Sequence, residues 1–331
     1  MGKVNDVMLD YLDDNERFAD LFNGDFFHGE QVVQGEDLME GSQVYTEEYQ
    51  NEDVEVDSSA RPKRKRVKET TTRTRDIKKR LRSGGVLRVL AIENQEHVNY
   101  AMPWRHMNYD CLEYGKQIRS RRKKNKKANL LKTPAEELCG LRKEDRIAPT
   151  YTICVYHGTE KWDGPRSLKD IMDFGENGER WAELFADYRM HLICVNEIED
   201  FSKFHTSLRE FLQLLSCREN EEALNKLLSE NPAFESIDEE TAKAASVLMG
   251  VELCMEKNEG KETYSMCKAF RDHWNDGRET GRNEGRSEGV KTLGDLFKKL
   301  KQDGRMEDWM RAIEDNEFRD QLLQEYGLLD L

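Results

Sequence analysis

The sequence has no long hydrophobic stretch. No apolar run approaches the ~18 residues that a membrane-spanning helix needs, so we expect no membrane span and no membrane partner. Its 7 cysteines include no CxxC pair. An odd number in a long chain disfavours a secreted disulfide scaffold. The first residues carry no apolar signal-peptide core, which makes a cytoplasmic location the expectation.

Several cofactor motifs are missing as well. The chain has neither a P-loop nor a GxGxxG fingerprint, so no cofactor-binding site for ATP or a dinucleotide is predicted. Its 7 histidines contain no HxxxH pair, and its cysteines lack zinc-ligand spacing. A structural zinc site is therefore not expected. No helix-turn-helix or zinc-finger pattern is evident either.

Charge is abundant and unevenly distributed. The chain has 331 residues, of which 36% are charged, and its net charge is −14. Residues 1–60 carry a net −15, residues 61–127 a net +16 and residues 128–331 a net −15. A basic block inside an acidic protein indicates a polyanionic partner such as nucleic acid. The alternative is that the block neutralises its acidic neighbours or forms a solvated face.

The hydrophobic pattern predicts an α/β core followed by helices. Residues 83–85 form a glycine turn that joins two predicted strands into a hairpin. The second of these strands is apolar on both faces, as in a central strand. The predicted elements are a helix at 5–22, strands at 71–81 and 86–95, a helix at 102–123, a strand at 150–156, a short helix capped by Ser167, a strand at 190–195, and helices beyond residue 203.

We therefore divide the chain into a domain at 1–215 and a helical region at 216–331. Residues 23–70 read as an acidic and then basic insertion that is partly flexible. A glycine-x-x-x repeat occupies 277–289, at Gly277, Gly281, Gly285 and Gly289. These glycines would lie on one face of a helix, where they could mediate homodimerisation. The alternative is a flexible glycine-rich linker.

The predicted hairpin brings carboxylates together at its open end. Glu93 ends an otherwise apolar strand, on the same face as Gln95, and Asp76 lies in the preceding strand. Two adjacent carboxylates repel unless a cation lies between them, and Mg²⁺ takes a few carboxylates plus water and phosphate oxygens. Gln95 could orient a water or a phosphate oxygen. The plainer alternative is that Asp76 pairs with Arg73, Arg75 or Lys78, and Glu93 only terminates its strand.

Longer stretches of sequence resemble a known family. Residues 75–77, 91–96 and 100–110 look like the Rpn family of recombination-promoting nucleases, also labelled YhgA-like transposases. Residues 17–23, 152–158 and 162–165 fit the same family. The resemblance covers about residues 5–215. The Rpn family is in turn similar to the PD-(D/E)XK nuclease superfamily. It implies a restriction-endonuclease-like α/β core, with a mixed sheet flanked by helices in the order α-β-β-β-α-β, plus the helical C-terminal region.

The resemblance also implies a reaction and its residues. Asp76 and Glu93 match the acidic positions that bind Mg²⁺, with Mn²⁺ as a substitute, and Gln95 matches the third catalytic position. The superfamily has lysine there; glutamine cannot supply its positive charge. Arg105 and Tyr109 match recurring positions on the following helix. The implied function is a Mg²⁺-dependent DNA endonuclease that hydrolyses phosphodiester bonds with little sequence specificity and acts in recombination.

The basic end of the helix at 102–123 is the expected site of sequence-independent DNA binding. Together with Arg105 and Tyr109, the predicted DNA contacts are Lys116, Arg119, Arg121, Arg122, Lys123 and Lys124. Helix packing is the alternative role for Arg105 and Tyr109. The competing hypothesis for the whole protein is a catalytically inactive nuclease fold that binds DNA or serves as an oligomeric interaction protein.

Overall fold

The computed structural model describes residues 3–55, 63–251, 257–258 and 262–328, and the side chains of 5–44, 74–251, 257–258 and 262–328. The chain divides into two compact units. The first comprises residues 1–252 and 257–266, and the second residues 253–256 and 267–331. The first unit thus extends beyond residue 215. Among the described helices, none is long and apolar enough to cross a membrane.

The first unit is an α/β structure. Its helices are α1 (Lys3–Leu12), α2 (Asn15–Phe26), α3 (Met102–Lys127), α4 (Pro134–Cys139), α5 (Gly178–Leu184), α6 (Leu208–Ser216), α7 (Glu221–Glu230) and α8 (Glu239–Leu248). Its strands are β1 (Leu38–Glu40), β2 (Val44–Glu55), β3 (Lys63–Thr74), β4 (Ile77–Ser83), β5 (Val86–Gln95), β6 (Thr150–Tyr156), β7 (His191–Cys194), β8 (Ile237–Asp238) and β9 (Thr263–Tyr264). Ser167 precedes a 3-10 turn at Leu168–Ile171.

Five strands form a mixed sheet in the order β1-β4-β5-β6-β7. The β4–β5 hairpin is antiparallel, as predicted, while β6 and β7 join β5 in parallel. Helix α3 makes the crossover from β5 to β6, because parallel neighbours need a long connection. The α/β class and the mixed sheet flanked by helices are confirmed.

Two sequence-predicted elements are interrupted. The helix expected at 5–22 is two helices, because the Asp14 carboxylate accepts the backbone N–H groups of Glu16 and Arg17 and starts α2 anew. The strand expected at 71–81 is also divided, since β3 ends at Thr74 and β4 begins at Ile77. The prediction of no strand beyond residue 203 was wrong for the two-residue strands β8 and β9.

The first part of the interrupted strand, β3, belongs to a separate two-stranded ribbon. Among the described strands, β2 and β3 pair only with each other, and their register sets Glu52 opposite Arg66, Asp53 opposite Lys65, and Glu55 opposite Lys63. In this register, several basic positions of β3 stand opposite acidic positions of β2. Residues 56–62 of the expected flexible insertion lie outside the described residues.

Alternation along β5 directs neighbouring side chains to opposite faces of the sheet. Glu93 contacts Arg105 of α3, whereas the next residue, Asn94, donates to Asn5 of α1. Helix α3 therefore covers one face and α1 the other. Helix α1 also packs on α8, where the Tyr11 and Thr241 hydroxyls lie 2.9 Å apart.

The second unit is helical, as expected for the C-terminal region. It contains most of α9 (Met266–Gln302), together with α10 (Met306–Glu314) and α11 (Asn316–Glu325). Leu296, Leu300, Ala312, Leu322 and Leu323 form its core. The glycine repeat lies inside α9. A Cβ atom added at Gly277, Gly281, Gly285 or Gly289 would meet no described atom within 4 Å, so the homodimer stays a prediction.

Candidate active site

The three predicted catalytic residues meet at the open end of the β4–β5 hairpin. Ile77 pairs with Ile92, so the next position along each chain brings Asp76 beside Glu93. Gln95 follows at the end of β5. Apolar residues hold this strand in the sheet, since Val89, Leu90, Ala91 and Ile92 are all buried. Strand β5 is therefore buried and apolar over most of its length and ends in polar residues.

Glu93 is buried beneath the site. Its side chain is 0% exposed, and neither of its carboxylate oxygens has a hydrogen-bond partner of ordinary geometry among the described residues. The nearest cations are Arg105, whose Nη2 lies 3.2 Å from Oε2, and Arg75, whose Nε lies 3.9 Å from Oε1. Burial, followed by the like charge of Asp76, raises the pKa of Glu93 to about 8 against these two arginines.

Asp76 is half-buried and is held by the backbone of the adjacent strand. Its Oδ2 accepts the Asn94 N–H at 2.8 Å. Burial raises the pKa of Asp76, while this hydrogen bond and the charge of Arg105 oppose the rise. The Gln95 amide nitrogen donates to the Asn94 carbonyl at 2.6 Å. The hydrogen bond leaves the Gln95 side-chain oxygen as an acceptor for a water or another donor.

A cleft of about 620 Å³ opens above these residues, and we call it the carboxylate cleft. Asp76, Gln95 and Arg105 line it directly. Its other lining residues are Asn5, Thr74, Asn94, Glu96, His97, Val98, Asn99 and Tyr100. The volume lies within the range of small-molecule sites, and all of the lining residues except Val98 carry a polar or charged group. A polar, charged ligand is the better fit.

A buried ionic network supports the site from the α3 side. Arg75 is 0% exposed and donates to Asp110 Oδ1 at 2.5 Å. Asp110 also accepts the Thr152 hydroxyl at 3.0 Å and the Tyr188 hydroxyl at 2.6 Å. One turn further along α3, Glu113 accepts from the buried Lys78 at 3.0 Å. These pairs fix α3 against β4 and hold Arg75 beside Glu93.

Arg105 and Tyr109 both lie near the site, but they differ in access. Arg105 keeps a 29% exposed side chain, lines the carboxylate cleft and stacks near the Tyr109 ring, 5.6 Å from its centroid. Tyr109 is only 6% exposed and donates its hydroxyl to the Thr74 carbonyl at 2.9 Å. The Arg75 guanidinium lies 5.3 Å from the same ring. Tyr109 therefore packs between two arginines, which is the alternative role considered for it.

The predicted DNA-contacting residues of the basic block lie further along α3. Lys116, Arg121 and Lys124 line a second cavity, also of about 620 Å³, near the turn between β4 and β5. Arg119, Arg122 and Lys123 are exposed on the same helix outside this cavity. Since the turn is at the opposite end of the hairpin, the structure brings together Asp76, Glu93, Gln95 and Arg105, and separates them from these six residues.

The donor set at the carboxylate cleft suits one class of metal ion. Among the described residues, no group of three or more histidine, cysteine, aspartate or glutamate side chains could hold a metal. A closed protein cage, as zinc prefers in structural sites, is thus not formed by them. Mg²⁺ needs only one or two carboxylates and completes its shell with water and phosphate oxygens. Asp76 and Glu93 supply two carboxylates that fit this requirement, and Arg105 and Arg75 also lie beside Glu93.

Several residues of the site were not selected from the sequence. Asn94 links Asp76 to Asn5 of α1, and Arg75 joins Glu93 to Asp110. A signal was present for Asn94, because the polar run at 94–97 directly follows the apolar part of β5. Arg75 was considered only as a possible partner of Asp76, and its contacts with Glu93 and Asp110 were missed because these residues are remote in sequence. The pairing of Arg105 with Glu93 was also missed.

The chain was compared with protein-family models, with curated proteins and with solved structures, and none of the three comparisons gave a match.

Proposed function

We propose that the protein is a Mg²⁺-dependent DNA endonuclease of the Rpn type within the PD-(D/E)XK superfamily. The observation that carries the proposal is the meeting of Asp76, Glu93 and Gln95 beside one polar cleft, at the ends of two paired strands. Glu93 is wholly buried, and burial together with the neighbouring Asp76 charge raises its pKa. A divalent cation between Asp76 and Glu93 would relieve their repulsion, in addition to the charges of Arg75 and Arg105.

The order of elements is consistent with the proposal. Helix α2 is followed by β1, β4, β5, α3 and β6 if the separate β2–β3 ribbon is set aside as an insertion. This sequence matches the α-β-β-β-α-β order that the family resemblance implies. In that arrangement the carboxylates stand at the end of the central hairpin, from which α3 departs toward the parallel strand β6.

Each side chain has a defined part in the proposed reaction. Asp76 and Glu93 would hold the Mg²⁺ ion, which when bound supplies the positive charge that stabilises the phosphate and its leaving oxygen. Gln95 orients a water through its side-chain oxygen. Arg105 lines the same cleft and supplies a positive charge, which Gln95 lacks, to a phosphate oxygen. Arg75 neutralises part of the buried negative charge.

A second candidate is a nuclease fold that binds DNA without cutting it. The ion pair between Arg105 and Glu93 favours this reading, because a tethered guanidinium can take the place of a metal ion beside a carboxylate. Arg75 adds a second cation on the other oxygen. This candidate requires DNA binding that is independent of divalent metal and no strand cleavage at any metal concentration.

Nicking of a supercoiled plasmid distinguishes the two candidates. Purified protein is incubated with Mg²⁺, Mn²⁺ or EDTA, beside the double variant Asp76→Ala/Glu93→Ala. The nuclease proposal requires nicking in either metal, none in EDTA and none by the variant. Absence of nicking by the wild type, with DNA binding retained, would support the binding protein instead. Circular dichroism of the variant verifies that its fold is intact.

A further inference from the structure

The cavity at the turn end of the β4–β5 hairpin is lined by five cationic side chains and one carboxylate. We call it the basic groove and define it by the cations that line it: Arg80, Lys116, Arg121, Lys124 and Arg146. We propose that the basic groove binds the phosphate backbone of duplex DNA about eight base pairs away from the phosphate held at the carboxylate cleft. The identity of this ligand rests on the proposed nuclease function.

The charge of the basic groove is not cancelled from within. Its one lining carboxylate, Glu113, is already paired with Lys78 at 3.0 Å. Arg121 lies 4.0 Å from Asp145, which Arg142 also contacts at 3.2 Å. Arg80, Lys124 and Arg146 form no ion pair with any carboxylate that the structure describes. Several cations thus converge on one concavity with few counter-charges, as a polyanion site requires.

The lining also favours a duplex over a single strand. The remaining residues are Gly85, Val86, Leu87, Gln117, Ser120, Ile147 and Ala148, and none is aromatic. Proteins that bind single-stranded nucleic acid stack its bases on aromatic side chains. A surface of point charges over aliphatic residues offers contacts to phosphates instead, without reading bases. The basic groove therefore suits a backbone presented on the outside of a double helix.

Two independent measures give the separation of the groove from the carboxylate cleft. Along β5, Leu87 lines the groove and Gln95 lines the cleft, and eight residues of strand span ~26 Å. Along α3, Lys124 lines the groove and Arg105 the cleft, and the nineteen residues between them rise ~28 Å. At ~3.4 Å per base pair, both values correspond to about eight base pairs of duplex. The exposed Arg119 and Lys123 lie along the intervening part of α3.

Binding measured in EDTA tests the groove without any cleavage. A fluorescein-labelled duplex of 20 base pairs is titrated at 50–200 mM salt with wild type and with the variant Arg80→Gln/Lys124→Gln/Arg146→Gln. Loss of three phosphate contacts reduces the slope of log affinity against log salt by about 2.7. The control Lys169→Gln/Arg180→Gln/Lys226→Gln removes the same charge from exposed positions elsewhere in the first unit. Its slope should stay near that of the wild type.

The second part of the test varies the length of the DNA and compares duplex with single strand. We expect the affinity of wild type for hairpin duplexes to rise between 4 and 12 base pairs, and that of the groove variant to rise much less. Equal slopes for the groove variant and the control would overturn the proposal. Equal or tighter binding of a single-stranded 20-mer of thymidine would overturn the assignment to duplex. Because Arg80 is half-buried in β4, the exposed pair Lys124→Gln/Arg146→Gln repeats the test with less risk to folding.

The outcome is separable from the nuclease proposal. If the protein never nicks plasmid but loses salt-dependent DNA binding when the groove cations are replaced, the groove proposal stands and the nuclease proposal is wrong. If the protein nicks plasmid in Mg²⁺ and needs Asp76 to do so, but binds duplex equally well without the groove cations, the nuclease proposal stands and the groove proposal is wrong.

Discussion

Substitution of Arg75 tests the buried network behind the carboxylate cleft. Arg75→Met keeps most of the side-chain volume and removes the only cation that contacts Asp110 among the described residues. Asp110 would then retain the hydroxyl groups of Thr152 and Tyr188, at 3.0 and 2.6 Å, but no counter-charge. Breaking one side of a buried ion pair costs about 3–5 kcal/mol. We expect a loss of about 3–4 kcal/mol, because the two hydroxyls continue to solvate the carboxylate.

That loss is a large fraction of the stability of a domain, which is typically about 5–15 kcal/mol. Urea unfolding at pH 7, followed by circular dichroism, measures it. The double variant Arg75→Met/Asp110→Asn removes both charges and should recover about half of the lost stability. Glu240→Gln is the control, since Glu240 pairs with Arg17 but has a 72% exposed side chain. It should cost less than about 1 kcal/mol.

A loss for Arg75→Met no larger than that for Glu240→Gln would refute the reasoning. It would mean that the Arg75 and Asp110 charges are solvated, and therefore that Glu93 is not enclosed as described. A double variant as unstable as the single variant would refute it in another way. It would show that the guanidinium acts through its packing on the Tyr109 ring, and not through its charge.

Three further predictions concern acid stability, the glycine repeat and Gln95. Burial lowers the pKa of His106 from 6.5 to about 3. Between these two pH values the unfolded chain binds a proton at His106 and the folded chain does not, so the free energy of unfolding should fall by up to about 1.4 kcal/mol per pH unit as the pH drops. Urea unfolding of His106→Leu at pH 7, 5.5 and 4.5 should show a smaller fall than the wild type. A fall equal to that of the wild type would contradict the assignment. Gly281→Ala should stabilise α9 by about 1 kcal/mol in thermal unfolding, because the glycine faces no described atom; destabilisation would indicate a packed face. Gln95→Ala should slow nicking about tenfold by removing one hydrogen bond to the water, and an unchanged rate would exclude that role.

The sequence predicts the centre of the sheet well. Strand β6 has the predicted bounds, Thr150–Tyr156, and β5 and the start of α3 also agree with the prediction. These segments have an apolar content or a proline start that local rules detect. The meeting of Asp76 with Glu93 follows from the hairpin alone, because the glycine turn at 84–85 sets the register.

Other features depend on partners that are distant in the chain. Arg75, Lys78 and Lys79 are all nearly fully buried, against the usual exposure of charged residues. Their partners include Asp110, Glu113 and Glu40, more than thirty residues away. No local sequence pattern predicts these ion pairs. The β2–β3 ribbon was also missed, because the sequence of these two segments has no alternation of apolar residues.

The most direct test of the central claim is the nicking rate as a function of Mg²⁺ concentration. Wild type, Asp76→Asn and the exposed control Glu230→Gln are compared on one supercoiled plasmid, with circular dichroism to verify their folds. A metal ion contributes several kcal/mol to the stabilisation of the phosphate, so Asp76→Asn should lose about a hundredfold or more in rate. Glu230→Gln should match the wild type at every concentration. Nicking by Asp76→Asn at the wild-type rate, or nicking that persists in EDTA, would contradict the account.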